Sequence, residues 1–98
     1  MNLQQNSPPV PRLAVVVPVH NETGNIAPLI AEIRAALQGN ITFEIIYVDD
    51  ASTDDTPDAL NKVAADCPEL RILRHQTCSG QSAAIATGVR AARGSAIA

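Results

Sequence analysis

Apolar residues recur along this chain in two alternating rhythms. Leu13 to Val19 (LAVVVPV) and Phe43 to Val48 (FEIIYV) are near-continuous apolar runs, too short for helices and rich in β-branched residues, and they read as buried strands. Leu70 to Arg74 (LRILR) reads as a third. Pro18 cannot donate to a sheet ladder, so regular pairing of the first strand is expected to stop there. Between the strands the apolar spacing changes to that of helices. From about Asn25 to Gln38, residues Ile26, Leu29, Ile30, Ile33 and Leu37 share one face, and Gly39-Asn40 supplies a stop signal. Thr56-Pro57 looks like an N-cap followed by proline at the first helical position, opening a helix to about Asp66 with Leu60, Val63 and Ala64 inward. A third helix, Gln81 to Arg93, carries Ala83, Ala84, Ala86, Gly88, Ala91 and Ala92. Such small residues let it approach a sheet closely. Gly94 is its expected C-cap, and Ser95 to Ala98 begins a fourth strand.

Strands alternating with helices predict an α/β fold: a parallel sheet with helices on both faces. Right-handed crossovers, and growth that reverses after the third strand, predict the order 3-2-1-4. Residues 1–12, with Pro8, Pro9 and Pro11, read as a flexible N-terminal arm, and 13–98 as one domain. A chain that stops inside a strand reads as a fragment truncated at its C-terminus. An open flank along Leu13–Val17 is then expected to make it marginally stable and prone to form a homodimer through exposed edges.

Composition narrows the role without defining it. The 98 residues are 46% hydrophobic, yet hold one Phe and one Tyr, so the core is aliphatic. A net charge of −3 gives no basic footprint for nucleic acid. No apolar run approaches the roughly 20 residues of a membrane-spanning helix. The two cysteines, Cys67 and Cys78, suggest reduced thiols in a cytoplasmic protein.

The chemistry gathers at the strand ends. The second strand finishes in two carboxylates, Asp49 and Asp50, followed by the turn formers Ser52, Thr53 and Asp54. Ligands of open α/β sheets sit beyond the carboxyl ends of the strands. Neighbouring strand residues face opposite ways, so one aspartate is expected to face a ligand and the other to hold the following loop. The polar loops His20-Asn21-Glu22 and Gln76 to Gln81 fall on the same rim. There is no GxGxxG or GxxxxGK[ST] phosphate loop, and an acidic rim repels phosphate unless a divalent metal intervenes. His75, Cys78 and Cys67 fit no common zinc spacing. Arg71 and Arg74 read as solvated edge charges.

The segments VVVPVHNETGNI, EIIYVDDASTDDT and SGQSAAIATGVRAARG, in this order, resemble the N-terminal half of an inverting family 2 glycosyltransferase of the GT-A (Rossmann-like) fold, closest to the dolichyl-phosphate mannosyltransferase-like group. The resemblance covers Leu13 to Ala98. It implies sugar transfer from a UDP- or GDP-sugar to a polyprenyl phosphate, in cell envelope glycan biosynthesis, by a parent protein at the cytoplasmic face of the membrane. It also implies residue roles. Pro18, Val19, Asn21 and Glu22 would form the first nucleotide-contacting loop, and Asp49 or Asp50 would accept the imide N–H of the base. Gly80 and Gln81 would line the pocket. The acidic D-x-D-type motif that holds Mg²⁺ or Mn²⁺ in such enzymes is expected beyond Ala98, as is the catalytic base. The fragment by itself is therefore expected to bind no metal and to be inactive. Thr77-Cys78-Ser79 departs from the Asn-rich or aromatic stretch of the family.

Two other readings compete. A receiver-like signalling module also has an acid pair after a strand, but after its first strand, with a lysine at a later strand tip. Here the only lysine, Lys62, falls in a helix. An inert structural fragment is the third reading, separated from the first by nucleotide titration.

Overall fold

The computed structural model describes residues 10–98. Four parallel strands, β1 (Leu13–Val19), β2 (Phe43–Asp50), β3 (Leu70–His75) and β4 (Ala96–Ile97), lie in the order β3-β2-β1-β4. The connecting helices are α1 (Ile26–Leu37), preceded by a 3-10 turn at Thr23–Asn25, α2 (Thr56–Ala64) and α3 (Gln81–Ala91). Helices cover both faces, as the alternating pattern requires. Of the expected arm, residues 1–9 lie outside the described residues. Arg12 is tied down, its N–H donating to the Thr42 carbonyl and its own carbonyl accepting from Ala96.

β2 is central and buried over its whole length. Its alternation sorts the core into two layers. Phe43, Ile45 and Tyr47 pack with Val19, Ile26, Ile30, Leu60 and Leu70 beneath α1 and α2. Ile46 and Val48 pack with Ala14 and Ala84 beneath α3. Gly88 lets α3 lie close: a Cβ there would come 2.4 Å from Val16 Cγ1 and 3.2 Å from Val48 Cγ2.

Several local expectations are corrected. β1 keeps its register through Pro18, opposite Val48, to Val19, opposite Asp49. The reason lies on the far flank. Val16 N–H donates to the Ala98 carbonyl, and Pro18, two residues on, turns its missing donor toward the same flank, where β4 pairs only Leu13 and Ala14. Leu29 is exposed, so the apolar face of α1 is narrower than its spacing suggests. Thr56 is not an N-cap: it is the first residue of α2, Asp55 precedes it, and its hydroxyl is spent elsewhere. Gly94 is not the C-cap of α3, which is Ala92 in an extended conformation. Gly94 instead passes against β1, where a Cβ would meet Ala14 N at 2.6 Å.

Arg71 and Arg74 lie on the edge strand and are partly solvated, as expected, but they are not free charges. Each is paired with a buried β2 carboxylate, Arg71 with Glu44 at 2.8 Å and Arg74 with Asp49 at 2.6 Å. The in-register parallel pairing explains this. Arg71 sits beside Ile46 and Arg74 beside Asp49, which brings each guanidinium within reach of a carboxylate on its own face.

Candidate functional site

The two aspartates at the β2 tip take opposite faces. Asp49, on the α1/α2 side, accepts Ser52 N–H at 3.0 Å on one oxygen and Arg74 on the other. It holds the following loop, which is the part expected of one member of the pair. Asp50, on the α3 side, reaches the start of α3. Its Oδ1 accepts from Ser79 N–H and His75 Nδ1, each at 2.8 Å. Its Oδ2 accepts from Gly80 N–H at 2.8 Å and the Cys78 thiol at 3.4 Å. The Ser79 N–H, reinforced by His75 and then by Gly80 and Cys78, keeps the Asp50 carboxyl well below the usual carboxylate range against the opposing effect of burial. Gly80 is needed here for its backbone, with φ +96°, a region side chains disfavour.

The loops after β1 and β2 are laced together. Ala51 takes a left-handed φ of 58°, which costs a non-glycine residue about 1–2 kcal/mol. It is gripped on both sides: His20 Nδ1 meets the Asp50 carbonyl at 2.7 Å, and Asp49 holds Ser52 N–H. Asn21, also left-handed, accepts Thr53 and Asp54 N–H on its side-chain oxygen, and its own N–H donates to Ser52 Oγ. Glu22 N–H donates to the buried Thr56 hydroxyl at 3.0 Å. Asp54 accepts from Thr56 N–H and the Thr23 hydroxyl, and its bonds with Thr56 and Thr23 lower its pKa.

These contacts leave a crevice of about 200 Å³ between the β1 tip and the start of α3. It is lined by Pro18, Val19, His20, Glu22, Asp50, Gln81 and Ala84. It lies where the sheet reverses its direction of growth, between β1 and the connection to β4, the place at which open α/β sheets bind ligands. A larger open hollow, about 500 Å³, lies at the opposite end of the sheet. Of the charged residues lining it, Glu44 is paired with Arg71 and Glu69 with Arg34, and it lies at the amino ends of the strands, so the crevice at the carboxyl tips is the better candidate.

Of the residues singled out from sequence, Pro18, Val19, Glu22, Asp50 and Gln81 line this crevice. Asn21, Asp49 and Gly80 do not: Asn21 and Asp49 brace the loop after β2, and Gly80 anchors α3. Sequence reasoning did not single out His20 or Ala84 as lining, nor His75 as a partner of Asp50. The signal for His75 was its place at a strand tip, directly across from Asp50 in the parallel register. The Glu22 carboxylate makes no hydrogen bond among the described residues and stays open to a ligand.

The model for the family described as "Glycosyl transferase family 2" matches residues 14–98. The chain belongs to this family. Among its family 2 relatives, a dodecaprenyl-phosphate galacturonate synthase of Rhizobium johnstonii is 40% identical over 88 residues, covering 88% of this chain and 26% of the relative. A dolichol-phosphate mannosyltransferase of Pyrococcus furiosus is 32% identical, covering 85% and 23%. A solved mannosyltransferase from Pyrobaculum calidifontis, in complex with GDP-Man and Mn²⁺, superposes with a TM-score of 0.65 at 34% identity, covering 84% of this chain and 24% of that one. The chain thus spans about a quarter of the length of the family 2 relatives it matches. The fold is the Rossmann-like GT-A arrangement, and family membership sets the receiver reading aside. Lys62 agrees, lying exposed on α2 away from the strand tips.

The described residues do not fit a divalent cation of the kind that accompanies GDP-Man in that structure. They contain no cluster of three or more His, Cys, Asp or Glu side chains suited to one. Asp49 and Asp50 face apart and are occupied by protein donors. No helix among them is long and apolar enough to cross a membrane.

Proposed function

We propose that this chain is the nucleotide-binding part of an inverting glycosyltransferase that moves a sugar from a UDP- or GDP-sugar to a polyprenyl phosphate. The observation that carries the reading is the crevice at the reversal point of the sheet, with the open Glu22 carboxylate at its mouth and Asp50 beside it. Relatives named for transfer to dodecaprenyl or dolichol phosphate supply the acceptor class. Such an acceptor is a membrane lipid, so the parent protein would work at a membrane surface.

The crevice suits the nucleoside end of the donor. Glu22 can accept a base N–H or ribose hydroxyls, and the apolar Pro18, Val19 and Ala84 can cover a ring face. It suits the diphosphate poorly. Ser79 and Gly80 N–H, the free donors that the start of α3 would offer to a phosphate, are consumed by Asp50. Burying unpaired phosphate charge beside Glu22 and Asp50 costs several kcal/mol, roughly. The diphosphate and its cation would be met by residues outside this segment.

Calorimetric titration of the 98-residue chain tests this. Guanosine or uridine should bind about as well as its diphosphate, and Mn²⁺ should change neither. Glu22→Ala should weaken that binding by roughly 1–2 kcal/mol, the worth of a charged acceptor, while leaving Tm unchanged. Tight, Mn²⁺-dependent diphosphate binding would show that these residues carry the phosphate site after all.

A further inference from the structure

We propose that His75 and Thr87 are positioning residues for the crevice, acting through Asp50. For its binding readout the proposal rests on the nucleotide reading above; its structural readout does not.

Asp50 lines the crevice and is engaged by protein donors on both carboxylate oxygens. An ionised carboxylate has about four lone-pair sites, and Ser79 N–H, Gly80 N–H, His75 Nδ1 and the Cys78 thiol occupy them. Two of these donors are the backbone groups immediately before α3, and the next residue, Gln81, lines the crevice. Beside lining the crevice, the carboxylate places the start of α3, and His75 in turn fixes the carboxylate. That ring is itself held from behind. Its Nε2 lies 2.8 Å from Thr87 Oγ1, two turns into the same helix. The contacts close a ring: Asp50 on β2, His75 on β3, Thr87 on α3, and back along α3 to Gly80 and Asp50.

The proton count keeps this ring intact. Toward a carboxylate, His75 Nδ1 must donate. Nε2 then either accepts the Thr87 hydroxyl proton, in a neutral ring, or donates to Thr87, whose hydroxyl turns to the Ala83 carbonyl 3.1 Å away. Arg90 approaches the same hydroxyl from the next turn at 3.4 Å. In both arrangements the bond to Asp50 is kept.

The test uses the enzyme that contains this chain at its natural length, with His75→Leu, His75→Gln and Thr87→Val. UDP and GDP are the probes in calorimetry, donor and acceptor KM are measured alongside kcat, and hydrogen exchange is followed over residues 79–84. His75→Leu should raise the Kd of whichever nucleotide binds by about 5- to 20-fold, Thr87→Val by about 2- to 5-fold, and His75→Gln, whose amide still donates, should restore most of the loss. Donor KM should rise with acceptor KM and kcat little changed, and exchange over 79–84 should quicken in the same order. A merely structural role would raise both KM values and lower Tm without rescue by glutamine. If His75→Leu does not fold, Thr87→Val against His75→Gln gives the same comparison. Wild-type affinity and exchange in Thr87→Val and His75→Leu overturn the proposal. If the wild-type enzyme binds neither UDP nor GDP, the nucleotide reading fails, and exchange over 79–84 alone decides: faster in the variants upholds the positioning role, unchanged overturns it.

Discussion

Tyr47 is the residue whose chemistry is least served by its surroundings. It points from the middle of β2 into the α1/α2 core, fully buried, and its hydroxyl has no partner among the described residues. Burial, and then the negative charge of Glu22, push its pKa up to about 12. The sign of the consequence follows. A pKa raised above the unfolded value of about 10 gives stability that is complete below pH 10 and is lost as pH rises through 12. Tyr47→Phe removes an unpaired buried hydroxyl and should leave stability unchanged or raise it by about 1 kcal/mol. Urea denaturation at pH 7 and pH 11 should show the wild type losing ground at the higher pH and the variant losing less. A variant that is markedly less stable at pH 7 would mean the hydroxyl has a partner in solution.

At the scale of elements, α3 is held at both ends by one strand. Asp50 at the end of β2 takes the N–H groups before the helix, and Glu44 near the start of β2 takes those after it, Arg93 and Gly94. Arg71 completes the second clasp, bonding both Glu44 and the Ala91 carbonyl at the helix end. Burial would raise the Glu44 carboxyl, but Arg71 and the two backbone donors outweigh it and hold it below its ordinary value. Glu44→Gln should cost roughly 1–3 kcal/mol, because donors that meet a charge are left with a weaker acceptor, and Arg71 is partly solvated. Chemical denaturation measures this, and no loss would show that the clasp is replaceable by water. Gly88→Ala should lose up to about 2 kcal/mol, the overpacking against Val16 and Val48 exceeding the gain in helix propensity. A more stable Gly88→Ala would mean α3 can lift off the sheet at little cost.

For the whole molecule, three carboxylates that bind the loops and α3 share one direction of shift. Asp50, Asp54 and Glu44 all titrate below their ordinary values. Unfolded, they would take up protons near pH 4. Their contribution is therefore complete above about pH 5 and is lost as pH falls through the folded values. Acid unfolding should begin with the rim and α3, seen as faster exchange over 79–84 and 51–56 while the β1–β2 pairing is still protected. Uniform loss of protection across the chain would show that the rim and the sheet open together.

Much of the fold was legible because apolar period and strand length are local properties: β2, the three helices and their order follow from residue spacing alone, and the order β3-β2-β1-β4 follows once connections are right-handed. The rim was legible for the same reason, since strand ends must fall where apolar runs stop. What the sequence could not decide was who bonds to whom across the sheet. Pairing Asp49 with Arg74 and Glu44 with Arg71 depends on the register of β3 against β2, which no local pattern states. The same holds for Thr56, read as a cap for its own helix but accepting, on its hydroxyl oxygen, the Glu22 N–H from another loop. The amino-acid sequence determined which residues reach the strand tips. Only the tertiary structure decided which remain open to a ligand and which are consumed in holding the rim, because a polar group's role is set by the donor that arrives from a distant part of the chain.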